Sequence, residues 1–404
     1  MRTCSHVQSR MFSWLLVLIF GLSAVAAQAQ GFRYHYISLD EVAPPAPFTV
    51  FFAASLQDSG RVYGTVCVDV DPVTGACNDP HVAFFKDGTV TVVQSGFAGP
   101  VNAGGTVGGF ALIDPVNSIF QPALLRGGKV ELIPPQPGEI FSFVISLNDP
   151  GTALVDSFTD VAEKFLLYRN GHAAPLDFGP TVPRAVFFSN RHINNQGLIA
   201  GIAVPIGGNL FSGARGFRFD PRTGQSQVLS TFPGDPTETL AWGMGINTRG
   251  DVLGYSYTIG VRPYHERIGV WDRAGNFKTY LVRSNSSNRL FFNDNNLIVI
   301  TLDFGTHTSY LVPRPGVSLD LANLVVNPPM GLTLDFVTDL NNQGDMIGFS
   351  FSHGSFLLQR GGPPAALTLA ASRSFSSVKN KRHNMSPVAA AILGRRMPEL
   401  SQLK

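Results

Sequence analysis

Hydrophobic and polar residues alternate in short runs along most of the chain, and turn-forming residues separate the runs. One run leads into the turn Asn247-Thr248-Arg249-Gly250, and a second continues from Asp251 to Tyr257. Two shorter runs follow at Gly269–Trp271 and Phe277–Val282. Such alternation, bounded by Gly, Asn and Asp, is typical of β-strands. The pattern predicts a unit of four short strands, named A to D in chain order.

The same unit recurs along nearly the whole chain. Its marker is Asn-x-x-Gly between strands A and B, with a second glycine four residues later in strand B. The clear turns begin at Asn102, Asn194, Asn247 and Asn341, and degraded copies begin at Gln57, Asn148 and Asn293. Successive turns are 45 to 53 residues apart. Seven evenly spaced units predict a repeat architecture.

The residue types of the marker have a conformational explanation. Asn and Gly are favoured where a turn needs positive φ, so Asn102, Asn194, Asn247 and Asn341 are predicted to be structural turn residues. The glycine of strand B, for example Gly254, is predicted to mark a close approach of a neighbouring sheet or backbone.

Units of this length with four strands each predict an all-β fold, a seven-bladed β-propeller covering residues 30–362. The segment Phe32 to Asp40 is predicted to be a strand D without its own A, B and C. The seventh unit supplies A, B and C and ends at Phe356–Leu358, so the two terminal segments are expected to close the ring and remove its edges. Ala365–Ala370 is the competing candidate for that last strand.

In these repeats the chain resembles bacterial extracellular repeat proteins of the HAF type, which pair Asn-x-x-Gly-x-Val-x-Gly with a downstream His-Ala-Phe-like strand. The residues that carry the resemblance are His81-Val82-Ala83-Phe84-Phe85 and His353-Gly354-Ser355-Phe356-Leu357, with His307-Thr308-Ser309-Tyr310 a weaker copy. Val155, Asn296 and Ile300 depart from the pattern in the third and sixth units. The resemblance implies a secreted propeller-like array and no catalytic residues.

The two ends of the chain differ from the repeats. Residues 1–29 carry Arg2 and Arg10, then an apolar run, then Ala27-Gln28-Ala29, which is typical of a cleaved signal peptide. Residues 363–404 carry seven basic side chains and one acidic one, which indicates a basic, mostly disordered tail. We therefore expect a secreted or periplasmic protein without a transmembrane anchor. The net charge of +2 argues against a nucleic-acid partner.

Two cysteines remain after the signal peptide. Cys67 and Cys77 flank a turn around Pro72, and an exported chain with this placement is expected to form a disulfide. The alternative for this segment is a calcium loop formed by Asp69, Asp71 and Asp79, although its spacing lacks the full ligand set.

Catalytic motifs are not evident. His81, His307 and His353 take the same place in three different blades, which the propeller would separate, so they are poor joint metal ligands. The string Tyr264-His265-Glu266-Arg267 could supply an acid and a base, but adjacent residues of an extended chain point apart. We therefore expect no catalytic residue, metal or cofactor.

The connections with variable length are the B-to-C and D-to-A loops, which lie on one face of a propeller. Variable loops on a rigid scaffold are where binding usually occurs. The longest D-to-A loop makes Trp242, Asp235 and Glu238 the predicted contact residues. The function predicted is a non-catalytic binding or surface role, with a polysaccharide, an envelope component or a protein as partner. An extracellular polysaccharide lyase or glycosidase is the alternative, and a purely structural envelope protein is a third possibility.

Overall fold

The computed structural model describes residues 32–71, 77–114, 119–160, 162–188, 191–211, 213–231, 240–257, 266–283, 287–302 and 308–361. The predicted signal peptide, the basic tail and Ala365–Ala370 lie outside these ranges. The described chain is almost entirely β-strand and turn.

The strands follow one another in seven consecutive blades. The chain begins with β1 (Tyr34–Ser38). Blade 1 comprises β2 (Val50–Leu56), β3 (Val62–Cys67), β6 (His81–Lys86) and β7 (Thr89–Ser95), with a small hairpin of β4 (Asp69–Val70) and β5 (Cys77–Asn78) between β3 and β6. Blade 2 comprises β8 (Val107–Asp114), β9 (Ile119–Arg126) and β10 (Lys129–Leu132). Blades 3 and 4 comprise β11 (Glu139–Leu147), β12 (Ala153–Thr159), β13 (Glu163–Arg169), β14 (His172–Pro175), and then β15 (Arg184–Val186), β16 (Ile199–Val204), β17 (Arg215–Asp220) and β18 (Gln225–Val228).

The remaining strands form blades 5 to 7. Blades 5 and 6 comprise β19 (Leu240–Ile246), β20 (Val252–Tyr257), β21 (Glu266–Trp271), β22 (Phe277–Arg283), and then β23 (Ser287–Phe292), β24 (Ile298–Leu302), β25 (Ser309–Arg314) and β26 (Val317–Asp320). A short 3-10 helix (Ala322–Leu324) leads to β27 (Val325–Val326), and blade 7 contains β28 (Phe336–Leu340), β29 (Met346–Ser350) and β30 (Gly354–Arg360).

In blades 1 to 6 the strands are antiparallel and in chain order, and β28, β29 and β30 of blade 7 follow the same arrangement; this is the predicted seven-bladed β-propeller. The first strand of a blade is the innermost one. In blade 5 every residue of β19 is buried, whereas the outer β18 of blade 4 and β10 of blade 2 are largely exposed. Strand A therefore lies at the ring axis, and strand D lies at the outer edge of the propeller.

The N-terminal strand closes the ring as the pattern predicts. β1 pairs antiparallel with β30, from Tyr34 opposite Arg360 to Ser38 opposite Phe356, and so occupies the strand D position of blade 7. β27 adds a parallel fifth strand outside it, with Tyr34 opposite Val325.

The core lies between the blades. The largest cluster of buried side chains joins Ile202 of blade 4, Leu253 of blade 5 and Ile300 of blade 6. A second cluster joins Val299 of blade 6 to Phe356 of blade 7 and to Tyr34 of the N-terminal strand. Burial of apolar surface between neighbours stabilises each blade, which is why a single unit could not fold alone.

The strand B glycines lie where an inner strand bulges towards them. A Cβ added at Gly254 would lie 1.8 Å from the carbonyl oxygen of Trp242, and one at Gly348 would lie 2.0 Å from that of Phe336. The inner strands carry a β-bulge near these contacts. The close approach is thus to backbone of the same blade.

The irregular blade is not one of those with a degraded marker. Blades 3 and 6, which carry Val155 and Ile300, both have four regular strands. Blade 2 has a clear marker but only three, and its inner segment is held by the bridges Phe97–Phe110 and Val101–Val107. Gly96, Gly99 and Pro100 explain this, because glycine weakens a strand and proline lacks the N–H that a ladder needs.

Candidate binding site

The Asn-x-x-Gly turns gather at one end of the ring axis, here called the turn face. Within each turn the first residue binds its own backbone: the Gly197 N–H donates to the Asn194 carbonyl at 2.9 Å, and the Leu198 N–H donates to Asn194 Oδ1 at 3.0 Å. The same side-chain bond recurs at Asn102, Asn247 and Asn341. A short polar side chain bonded to nearby backbone is the usual way to fix such a turn.

The side-chain nitrogen of each first turn residue connects neighbouring blades. Asn194 Nδ2 donates to the Asn247 carbonyl at 2.9 Å, and Asn341 Nδ2 donates to the Gln57 carbonyl at 3.2 Å across the closure of the ring. The remaining bonds of this kind run from Gln57 to Asn102, from Asn102 to Asn148, from Asn148 to Asn194 and from Asn293 to Asn341. Asn247 differs and donates to Asn296 Oδ1 at 3.2 Å. We call these seven first-position residues the amide belt.

The second positions of the turns form another circle, called the rim ring, composed of Asp58, Ala103, Asp149, Asn195, Thr248, Asp294 and Asn342. A backbone N–H in one blade donates to the side chain in the next, as from Ala103 to Asp149 at 2.7 Å and from Thr248 to Asp294 at 2.8 Å. Asn342 Nδ2 donates to both Asp58 and Asp294.

Inside the two circles is a polar cavity of about 110 Å³. It is lined by turn residues and by Arg191 and Asp339. Arg191 Nε lies 3.2 Å from Asp339 Oδ1, and the Asp339 side chain is only 2% exposed. Burial alone would lower the pKa of Arg191, but Asp339, with Asp58 and Asp294, outweighs it and the net shift is upward. Asp339 also accepts the Leu56 N–H and the Ser55 hydroxyl, so this pair ties blade 7 to blades 1 and 4.

The opposite end of the axis, the loop face, carries the B-to-C and D-to-A connections. Six of the eleven large apolar side chains that are exposed among the described residues fall within 113–141: Ile113, Ile119, Val130, Leu132, Ile140 and Phe141. Ile113, Ile119, Ile140 and Phe141 lie at the loop-face ends of β8, β9 and β11, and we call these four the apolar patch. Phe141 stacks on Phe110 with ring centroids 5.8 Å apart, which joins blades 2 and 3 beneath the patch.

Of the three predicted contact residues, only Trp242 lies in the described part of the chain. Trp242 lies in β19 and is 6% exposed, packed against Phe188 and Phe211, and its indole N–H donates to the Leu210 carbonyl. It is a core residue, contrary to the expectation of an accessible side chain, because the inner strand begins two residues before it. Asp235 and Glu238 lie outside the described residues.

Cys67 and Cys77 form a disulfide with their Cα atoms 5.4 Å apart. It joins the end of β3 to β5, so the hairpin β4–β5 is fastened to blade 1. Asp79, a member of the suggested calcium loop, instead lies 3.6 Å from His81 Nδ1. Within the described ranges, no three His, Cys, Asp or Glu side chains are grouped as a metal site would require.

Two further residues singled out by chemistry, His81 and His353, have local partners. His81 Nε2 lies 3.0 Å from the Ser95 hydroxyl, and His353 Nδ1 lies 2.6 Å from the Ser352 hydroxyl. His307, Tyr264 and His265 lie outside the described residues. Glu266 is 3% exposed at the start of β21.

Two features of the site were missed in the sequence. The residue five positions before the turn is aromatic in five units: Phe52, Phe97, Phe143, Trp242 and Phe336. The second turn position is Asp or Asn in five units, which is the signal for the rim ring. Comparing repeats position by position would have found both.

Comparisons with known proteins do not assign the chain to a family. No family model matches the chain, and no curated protein matches it. Among solved structures, a protein of unknown function from Dyadobacter fermentans is 12% identical with a TM-score of 0.37, covering 82% of this chain and 99% of that one. Dihydro-heme d1 dehydrogenase NirN is 13% identical with a TM-score of 0.34, covering 82% of this chain and 79% of that one. At these scores the matches carry no argument about function.

Within the described residues, no helix is long and apolar enough to cross a membrane.

Proposed function

We propose that this chain is an exported, non-catalytic binding protein that engages its partner through the apolar patch on the loop face. The observation that carries the proposal is the concentration of exposed apolar side chains on blades 2 and 3. Ile140 is 68% exposed, Ile113 and Ile119 are each 47% exposed, and Phe141 is 39% exposed. Exposed apolar side chains concentrated in this way on neighbouring blades mark interaction sites.

The composition of the patch favours one partner class. Three of its four members are isoleucines, which cannot donate or accept hydrogen bonds to a hydroxyl-rich chain. A protein surface, or an envelope component that presents protein, therefore fits better than a polysaccharide. The buried Phe110 packs against Phe141 and restrains its ring, which lowers the entropic cost of binding.

The turn face supports a structural role instead. The carboxylates of Asp58, Asp149, Asp294 and Asp339 each accept hydrogen bonds from neighbouring blades. Groups that hold the ring together in this way are poorly placed to act as an acid and base pair. The lyase or glycosidase alternative therefore has no specific observation in its favour within the described part of the chain.

Export is supported by two further observations. Residues 1–29 have the composition of a signal peptide with small residues before Gln30. The Cys67–Cys77 disulfide is of a kind that persists in oxidising compartments. Fractionation of cells that express the full chain would test this, with the expected product beginning at Gln30 outside the cytoplasm.

The binding proposal is tested with the double variant Ile140→Ser/Phe141→Ser and the control Val282→Ser, which removes an exposed apolar side chain from the outer strand of blade 5. Both are screened with the unaltered protein against arrays of extracellular proteins and glycans. We expect protein binding that the double variant loses and the control keeps. Binding that survives the double variant would refute the patch, and depolymerisation of a polysaccharide by the unaltered protein would favour the enzyme alternative.

A further inference from the structure

Arg289 lies at the inner edge of blade 6, in the half of β23 nearer the loop face. It pairs with Thr301 of β24 and follows a bulge in the inner strand. Its guanidinium carbon is 6.0 Å from the centre of the Phe336 ring, which belongs to the inner strand of blade 7. The side chain is therefore held between two blades beside the axis.

No carboxylate or hydrogen-bond acceptor among the described residues partners this guanidinium. Two other arginines that lie between blades behave differently. Arg191 pairs with Asp339, and Arg218 donates to the Gly250 and Asp272 carbonyls. Arg289 has only the ring of Phe336, and burial lowers the pKa of Arg289 below its usual value.

An unpaired charge of this kind is unfavourable in the folded protein, because desolvation is not offset by a counter-charge. The Arg289 residue is half-buried. None of its side-chain nitrogen atoms is both fully buried and without a hydrogen-bond partner, so these atoms retain contact with solvent. All five N–H donors of the guanidinium are available to a molecule that enters from the axis.

We propose that Arg289 anchors a binding site for an oxyanion, a carboxylate, sulfate or phosphate group, that enters from the loop face. The planar fork of a guanidinium matches two oxygens of such a group. The Phe336 ring lies near the guanidinium but offers no acceptor oxygen, so the N–H donors are left for the anion. This site is separate from the apolar patch, which lies on blades 2 and 3, so either can be present without the other.

The oxyanion can be free in solution or carried on a larger molecule, and the two sources are separated by the probes. Inorganic sulfate and phosphate represent the free ion, and galacturonate and a short oligogalacturonate represent a sugar-borne carboxylate. Binding is measured by titration calorimetry and by the shift in melting temperature of the mature protein. The variants are Arg289→Gln, Arg289→Lys and the control Arg222→Gln, which removes a surface arginine paired with Asp220.

We expect at least one probe to bind and to raise the melting temperature. Arg289→Gln should weaken that binding about tenfold or more, since charge-assisted hydrogen bonds are lost. Arg289→Lys should be intermediate, because it keeps the charge and loses the fork, and the control should bind normally. Without an anion, Arg289→Gln should melt at a higher temperature than the unaltered protein, because the uncompensated charge is gone.

Binding of the inorganic ions alone would support a site for a free anion, and binding of the sugar acids alone would support a carried group. Absence of binding by all probes would overturn the proposal, as would equal weakening by Arg289→Gln and Arg222→Gln. A lower melting temperature of Arg289→Gln without an anion would also contradict it. Since Ile140 and Phe141 are unaltered throughout, failure here leaves the apolar patch untouched.

Discussion

Asn342 and Asp58 are 284 residues apart in the chain and form two hydrogen bonds with each other at the closure of the ring. The Asn342 N–H donates to Asp58 Oδ1 at 2.8 Å, and its Nδ2 donates to Asp58 Oδ2 at 2.8 Å. The same Nδ2 reaches Asp294 Oδ2 at 2.9 Å. An asparagine placed between two aspartates thus joins three consecutive blades.

Ala103 stands at the equivalent position between Asp58 and Asp149, and it leaves the rim ring incomplete because alanine has no side-chain acceptor. We predict that Ala103→Asn stabilises the protein by about 1 kcal/mol, which is typical of a net hydrogen bond. Its Oδ1 would accept the Asp58 N–H, and its Nδ2 would donate to the neighbouring carboxylates. Ala103 is exposed, so the longer side chain has room. Denaturant unfolding measures the change.

The matched control for that prediction is Ala103→Leu, which has similar size without the amide. It should leave the free energy of unfolding unchanged or lower it slightly. Equal stabilisation by both variants would show that bulk, and not the completed ring, is responsible.

The amide belt gives a second prediction. Asn194→Asp keeps the oxygen that accepts the Leu198 N–H but replaces the donor to the Asn247 carbonyl with a charged acceptor. We expect it to lower the free energy of unfolding by more than the roughly 1 kcal/mol of one lost hydrogen bond, because two acceptors then face each other while buried. Asn209→Asp, at an exposed site where the side-chain oxygen accepts the Phe211 N–H, is the control and should cost less. If both variants unfold at the same denaturant concentration, interblade bonding by Asn194 is energetically unimportant.

The repeat itself could be read from the sequence, because its turns need Asn and Gly at fixed positions and its strands alternate. Closure by β1 was predictable for the same reason, since the segment before Asp40 has no strands A, B or C of its own. The interblade bonds were not, because nothing local shows that Asn194 meets Asn247 of the next blade. Spacing identifies the units, but packing decides which side chains of neighbouring units meet.

The binding residues illustrate the other limit. Trp242 is predicted to be a contact residue because it lies beside the long D-to-A connection, but it is buried within the inner strand Leu240–Ile246. Arg289 attracts no notice in the sequence, since an arginine in a strand is ordinary. Arg289 becomes a candidate anion-binding residue only because it lies near Phe336 and no carboxylate among the described residues pairs with it.

The glycine at the bulge gives a third prediction. Gly254→Ala should lower the free energy of unfolding by several kcal/mol, because the new Cβ would lie 1.8 Å from the Trp242 carbonyl oxygen and 2.7 Å from the Trp271 ring. Ser256→Ala, two residues along the same strand, is the control; it loses the hydrogen bond to the Leu240 carbonyl but introduces no steric overlap. Thermal unfolding compares the two, and similar melting temperatures would show that the bulge relaxes at little cost.

The disulfide gives a fourth. Cys67→Ala/Cys77→Ala should unfold more easily than the oxidised protein by about 3 kcal/mol or less, because the bond closes a short loop. Mass spectrometry of unreduced peptides should find the two cysteines joined in the exported protein. Two free thiols would contradict the pairing, whatever the stability of the double variant.

The last prediction concerns closure of the ring. A protein that begins at Phe48 lacks β1, so β30 would lose its outer partner and β27 would lose the strand it pairs with. Unpaired strands template association, so we expect this shortened protein to aggregate and to melt at a lower temperature. The variant Tyr34→Ser/Tyr36→Ser keeps the backbone of β1 but removes the two aromatic rings that pack on blade 7, and it should show the lower melting temperature with less aggregation. Light scattering and thermal unfolding of both proteins provide the comparison. If the shortened protein remained monomeric with an unchanged melting temperature, β1 would not be the strand that closes the propeller.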